Sequence, residues 1–177
     1  VLVHGASGGV GIAAVQWAKN AGLMVIGTAS SDAGRELVKT HGADHVFDHS
    51  EENYLDAVND VTGSRGVDII IEMLANVNLQ KDFDVLTMFG RITVIGNRGA
   101  LEFNPRSTMA KDATIYGMSL FNSPEDVRAE IHAAIFEGLN KGFLNPHVRK
   151  SFPLSEAPAS HHEVIETKAF GKIVLVP

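Results

Sequence analysis

Near its start the chain carries His4-Gly5-Ala6-Ser7-Gly8-Gly9-Val10-Gly11, a run whose residue types suit the binding of a pyrophosphate. Aligned as Ala6-x-Gly8-x-x-Gly11, it has the G-x-G-x-x-G spacing with alanine in the first place. Glycine lets the main chain turn tightly and approach phosphate oxygens, whose charge is then met by amides at a helix start. Ser7 can add a hydroxyl donor. Alone the motif is weak and could be a structural turn; it gains meaning only with a strand before it and a helix after it.

Both flanks are present. Val1-Leu2-Val3 reads as a strand, and Val10, Ala13, Ala14, Trp17, Ala18 and Ala21 recur at helical spacing on one face. Gly22 follows as a left-handed terminator. Short β-branched runs then alternate with helical patterns, which predicts a parallel sheet covered on both faces. Strands are expected at about 1–4, 23–28, 44–47, 67–73, 91–96 and 113–118, with ends placed to within about 2–4 residues. Helices are expected over about 32–41, 51–61 and 79–87. Val67-Asp68-Ile69-Ile70-Ile71 is apolar enough for a central strand. Six strands with crossovers make an α/β doubly wound (Rossmann) sheet, complete near residue 120. Beyond it the texture changes: Ser123-Pro124-Glu125 should cap a helix reaching Lys141, followed by a strand near 147–152, a helix and a last strand, Lys172-Ile173-Val174-Leu175. The chain opens inside a strand with no initiator methionine, so it reads as part of a longer protein.

A competing register, Gly5-x-x-x-Gly9-x-Gly11, has the spacing of short-chain dehydrogenases. Those carry their chemistry on Tyr-x-x-x-Lys. Here Tyr54 and Tyr116 are followed four places on by Val58 and Leu120, so that reading fails. An NAD-preferring site places Asp or Glu at the end of the second strand to hold the ribose hydroxyls. This chain has Gly27-Thr28-Ala29-Ser30-Ser31 there, small and neutral, with Arg35 nearby. A 2′-phosphate is accepted by such a site, so NADP is favoured. Arg35 is either its cationic partner or a solvated helix residue.

Composition narrows the classes further. The 177 residues are 45% hydrophobic and 20% charged, ordinary for a soluble globular domain. Net charge is -6, which argues against a strong nonspecific grip on nucleic acid or anionic membrane. No apolar run nears the ~20 residues of a membrane helix. With no cysteine, the segment has no disulfide, thiol nucleophile or thiolate metal site. A cytoplasmic location is expected.

Three stretches carry a family likeness: Val1–Gly11, Asp68-Ile69-Ile70-Ile71-Glu72-Met73-Leu74-Ala75-Asn76-Val77-Asn78-Leu79, and Asn104-Pro105-Arg106-Ser107-Thr108-Met109-Ala110-Lys111. Through them the chain resembles the quinone oxidoreductase (zeta-crystallin) branch of the zinc-free medium-chain dehydrogenases. The resemblance implies NADPH-dependent reduction of a small-molecule quinone, in a homo-oligomer (dimer or tetramer). It divides the chain into a cofactor domain, 1–120, and a C-terminal segment, 121–177, returning to a catalytic domain whose N-terminal part precedes the fragment. Alone, the fragment is expected to be inactive. Carried over position by position, cofactor contacts fall on Ser7, Gly8, Gly9, Val10, Ser30, His49, Asn78, Ile95, Gly96, Asn97, Arg98, Met118, Ser119 and Leu120. All lie at carboxyl ends of expected strands, where open α/β sheets bind ligands. His49 could instead be a surface loop residue, and Asn78 an N-cap. A lysine that related bacterial reductases carry near Gly34 for the 2′-phosphate is missing.

No catalytic acid or base stands out, consistent with a reaction whose difficult chemistry belongs to the cofactor. Metal binding is not expected. His161 and His162 would diverge by about 100° on a helix, and no H-E-x-x-H spacing occurs. Other readings are an NADPH-dependent enoyl reductase on the same scaffold, and a non-catalytic NADPH-binding crystallin or AU-rich RNA-binding protein. RNA rests on resemblance only, since no basic stripe or aromatic platform supports it.

Overall fold

The computed structural model describes all 177 residues. Strands β1 (Leu2–Val3), β2 (Ile26–Thr28), β3 (His45–Phe47), β4 (Val67–Glu72), β5 (Leu86–Val94) and β6 (Thr114–Gly117) form one sheet in the order β3-β2-β1-β4-β5-β6. Every pairing is parallel. The order reverses between β1 and β4, which is the switch point of a doubly wound fold and the place where its ligands bind. Helices α1 (Gly9–Asn20), α2 (Asp32–Thr40), α3 (Tyr54–Val61), α4 (Ala75–Val85) and α5 (Arg106–Lys111) make the crossovers. Two apolar clusters cover the sheet. One joins Leu2, Ile70, Leu86 and Ile92 to Leu79 and Phe83 of α4, and the other joins Val3, Ala6 and Val25 to Val15 of α1 and Val38 of α2.

Helix α1 departs from its expected face. Gly11, Ile12, Val15 and Gln16 are the buried residues, whereas Val10 and Trp17 are exposed. The helix is apolar on two sides. One side meets the sheet, and Trp17 on the other packs edge-on against Phe143, ring centroids 5.1 Å apart. A single-face pattern could not separate them.

Several boundaries also move. Helix α4 begins at Ala75, not near 79, and β5 begins at Leu86, not 91. Register explains the strand: Val67 pairs with Leu86, but Ile69 pairs with Arg91, so residues 87–90 bulge outward with Phe89 at φ +60°. The expected start at 91 is where regular pairing resumes. Helix α5 was not expected from the sequence. After the sheet come α6 (Glu125–Lys141), β7 (Val148–Pro153), α7 (Ala157–Glu166) and β8 (Lys172–Val176), with β7 and β8 paired in a small separate parallel sheet. Ser123 makes no capping bond to α6; Pro124 occupies the cap position.

The join of β1 to α1 is tight. A Cβ on Gly11 would lie 2.5 Å from both Ala6 Cα and the Gly5 carbonyl oxygen, which are main-chain atoms. At Gly9 the nearest atoms belong to the flexible Lys172 side chain. Gly11→Ala should therefore cost about 1–3 kcal/mol by overpacking, and Gly9→Ala clearly less. Thermal unfolding of both variants checks this, and equal melting temperatures would refute the packing argument.

Candidate cofactor site

At the N-terminus of α1 three amides, those of Gly9, Val10 and Gly11, find no acceptor within the chain; the first helical bond is Ile12 N–H to the Gly8 carbonyl, 2.9 Å. No acidic residue sits in the first turn to compete for them. Aligned peptide dipoles and bare donors make this a ready anion site. The amides face a cleft of 440 Å³ lined by Gly5, Gly8–Gly11, Met73, Arg98 and the segment 167–173. Ser7 is not the free donor that its residue type suggests. Its hydroxyl donates to the Ala169 carbonyl at 2.8 Å, and its own carbonyl accepts from the Gly171 amide at 2.7 Å.

At the end of β2 the expectation for Arg35 also changes. Its guanidinium is bonded to Asp48 at 2.5 Å and to Asp32. Asp48 in turn accepts from the hydroxyl and amide of Ser50, and these bonds, with Arg35, pull its carboxyl down to about 2. Arg35 therefore stays neutralised across the working pH range. Ser30 lies here with its carbonyl accepting from Lys168 Nζ at 3.0 Å. Thr28 is a residue that sequence reasoning missed. Its Oγ1 accepts from the Gly5 amide at 3.2 Å and bonds Nδ1 of His49 at 3.1 Å, so it ties the glycine-rich turn after β1 to the loop after β3. Surrounding protein and the charge of His4 push the His49 pKa down, which keeps its ring neutral.

Strands β4 and β5 end in a second set of ties. Ile95 and Gly96 donate their amides to the Glu72 carbonyl, and Ala75 donates to Gly96. Asn97 Oδ1 accepts from the Asn76 amide at 2.9 Å while Asn76 Oδ1 accepts from the Arg98 amide at 3.0 Å. Asn76 is a second missed residue, legible only once the two loops face each other. Asn78 lies inside the first turn of α4, so it is not an N-cap; its Nδ2 donates to Glu72 Oε1 at 3.3 Å. Gly8, Gly9, Val10 and Arg98 share the cleft, while Ser30, His49, Asn78 and Ile95–Asn97 flank it along the sheet edge. Met118, Ser119 and Leu120 follow β6 and are exposed.

Beneath these loops His4, Glu72 and Asp82 form a buried triad. His4 donates from Nε2 to Asp82 Oδ1 at 2.9 Å, and Glu72 Oε2 lies 3.6 Å from the same nitrogen. One oxygen of each carboxylate lacks a partner. Burial, only partly offset by His4, raises the Glu72 carboxyl to about 7. Burial would depress His4, but its bond to Asp82 and the two carboxylate charges outweigh that and raise it.

A family model described as zinc-binding dehydrogenase matches residues 9–136. The chain belongs to this family. It is 46% identical to the quinone oxidoreductase of Homo sapiens over 177 residues, covering 99% of this chain and 54% of that protein. It is 31% identical to a 2-haloacrylate reductase of a Burkholderia species, covering 100% of this chain and 55% of that protein. A mycobacterial protein solved in complex with NADPH superposes with a TM-score of 0.89 at 26% identity, over 99% of this chain and 57% of that one. The chain thus spans about half the length of the curated relatives it matches. The family's name implies zinc, yet the residues present do not fit a catalytic zinc centre. There is no cysteine, and the one compact group of nitrogen and oxygen donors is the triad, sealed from solvent where such a centre needs an open position.

The triad sets a pH dependence. An unfolded Glu72 would lose its proton near 4.5, whereas the folded one holds it to about 7. The native state thus binds more protons in that window, so stability falls as pH rises through it and levels off above. The raised His4 acts in the same direction. Urea unfolding between about pH 5 and 8 should show this decline, and Glu72→Gln should flatten its lower part. An unaltered slope in the variant would mean Glu72 is not its source.

Proposed function

We propose that this chain is the NADPH-binding part of a quinone reductase. The observation that carries the reading is the trio of bare amides at Gly9–Gly11, opening on a cleft in a chain 46% identical to a quinone oxidoreductase. NADPH, once bound, supplies the hydride that reduces the quinone. The pyrophosphate lies on Gly8–Val10, and His49 and Ser30 flank the adenosine. Asn78, Ile95–Arg98 and Met118–Leu120 line the nicotinamide end, where Glu72 and the Asn76–Asn97 exchange hold the loops still. NADPH is preferred because β2 ends in Thr28-Ala29-Ser30-Ser31 without a carboxylate. The protein's contribution is positioning and exclusion of water, and no side chain is assigned as acid or base.

On this reading the chain divides into a cofactor domain, residues 1–120, and a segment, 121–177, that packs on a catalytic domain supplied by chain preceding Val1. The exposed Ile131, Ile135 and Phe136 on α6 support it, because such a surface is costly to leave in water. We place the complete enzyme in the cytoplasm as a homo-oligomer joined through β6, the outermost strand, where Ile115 and Tyr116 are exposed. No helix is long and apolar enough to cross a membrane. A second reading, reduction of an activated carbon–carbon double bond, is favoured by the likeness to 2-haloacrylate reductase.

Turnover of the complete enzyme with NADPH, 9,10-phenanthrenequinone and an enoyl thioester separates the two readings. Quinone reduction is expected to dominate, residues 1–177 alone should give none, and alkene reduction alone would overturn the assignment. Gly8→Asp should abolish cofactor binding without unfolding the chain. Gly8 has φ -76°, and a Cβ there meets nothing nearer than 3.5 Å, while the new carboxylate would repel the pyrophosphate. A loss of ~10-fold or more in affinity is expected, equivalent to about 1.4 kcal/mol, with an unchanged circular dichroism spectrum; retained binding would make the loop a mere turn. Ile115→Lys should lower the sedimentation mass, and an unchanged mass would place the interface elsewhere.

A further inference from the structure

The bare end of β2 leaves open which group recognises the phosphate that distinguishes NADPH from NADH. Arg35 is poorly suited. Two carboxylates, Asp32 and Asp48, already hold its charge, and a phosphate beside it would meet both. The other cation at this corner comes from far along the chain. Lys168 donates from Nζ to the Ser30 carbonyl at 3.0 Å, and no carboxylate pairs with it. It lines the same cleft as the glycine loop, together with Arg98 and Lys172.

Its position is fixed by the main chain around it. The Lys168 carbonyl accepts from Arg149 at 3.1 Å. The next residue, Ala169, accepts from the Ser7 hydroxyl, and the Gly171 amide donates to the Ser7 carbonyl. Gly8 and Gly171 pair as an isolated parallel bridge. The segment 168–171 is thus laced directly onto the phosphate loop, with the lysine stem aimed at the adenosine end. An exposed ammonium that gives up only a main-chain acceptor can turn to a phosphomonoester, which carries about -1.5 to -2 charges at neutral pH.

We propose that Lys168 is the specificity residue for the 2′-phosphate of the adenosine ribose, supplied by the C-terminal segment across the cleft. It takes the place of the cation that α2 does not provide. Lys172, whose stem crosses Gly9, acts differently and adds positive charge beside the pyrophosphate common to both cofactors. The proposal rests on the NADPH reading above and deepens it.

The test uses the cofactor-free complete enzyme and titration calorimetry with adenosine 2′,5′-bisphosphate and 5′-AMP, alongside NADPH and NADH. Wild type should bind the 2′-phosphorylated member of each pair more tightly. Lys168→Ala should weaken those two ligands by about 10- to 100-fold, the range of one hydrogen bond to a charged group, while 5′-AMP and NADH hold. Lys168→Arg should restore most of the loss, and Lys172→Ala should weaken NADPH and NADH alike. Melting temperatures of the variants show whether each remains folded. If wild type prefers NADPH and Lys168→Ala keeps that preference, the Lys168 assignment is overturned and the NADPH reading stands. If wild type shows no preference for the 2′-phosphate, the NADPH reading itself fails.

Discussion

How closely α1 can lie against the end of β1 governs the whole cofactor edge. At Gly11 the helix touches the main chain of Ala6 and Gly5 with no room for a Cβ. That contact aims the helix axis at the cleft and leaves the amides of Gly9, Val10 and Gly11 unpaired at its mouth. A side chain at Gly11 would push the helix away, and both the anion site and the packing of Val15 on the sheet would suffer together. The same contact that builds the core thus builds the site.

The loops around this point are held by hydrogen bonds between neighbouring strand ends. Thr28 joins the turn after β1 to the loop after β3, and Glu72 joins the exits of β4 and β5 through its carbonyl and carboxylate. Glu72 reaches downward as well, into the buried group with His4 and Asp82. Burying that many ionisable groups is costly unless they pair and share protons, and the raised Glu72 and His4 fit such sharing. The cost is accepted where it fixes geometry, since His4 immediately precedes the glycine loop and Glu72 holds Asn78.

Residues after 121 form neither an independent layer nor an extension of the large sheet. Strands β7 and β8 pair only with each other, yet residues 168–171 are stitched to Ser7 and Gly8. The segment therefore closes one side of the cleft and brings Arg149, Lys168 and Lys172 to it. Glu163 neutralises Arg149, which leaves Lys168 and Lys172, with Arg98 from the loop after β5, as the positive charges facing the site.

Local sequence determined a good part of this. The glycine spacing, the β-branched runs and the left-handed stop at Gly22 are properties of a few adjacent residues, and they specified the six strands, four of the five crossover helices and the phosphate loop. The missing carboxylate after β2 was equally legible. Tertiary structure decided what depends on distant partners. Helix α1 is apolar on two sides, so only the positions of the sheet and of Phe143 show which side is buried where. Ser7, by its type a phosphate donor, is engaged by Ala169, which is 162 residues away. Arg35 is turned from a candidate ligand into a paired charge by Asp48, and Lys168 is brought to Ser30 across 138 residues. Hydrogen bonds and ion pairs act over a few ångströms regardless of separation along the chain, so no spacing rule can anticipate them; backbone turns and helix stops are local, and the sequence states them directly.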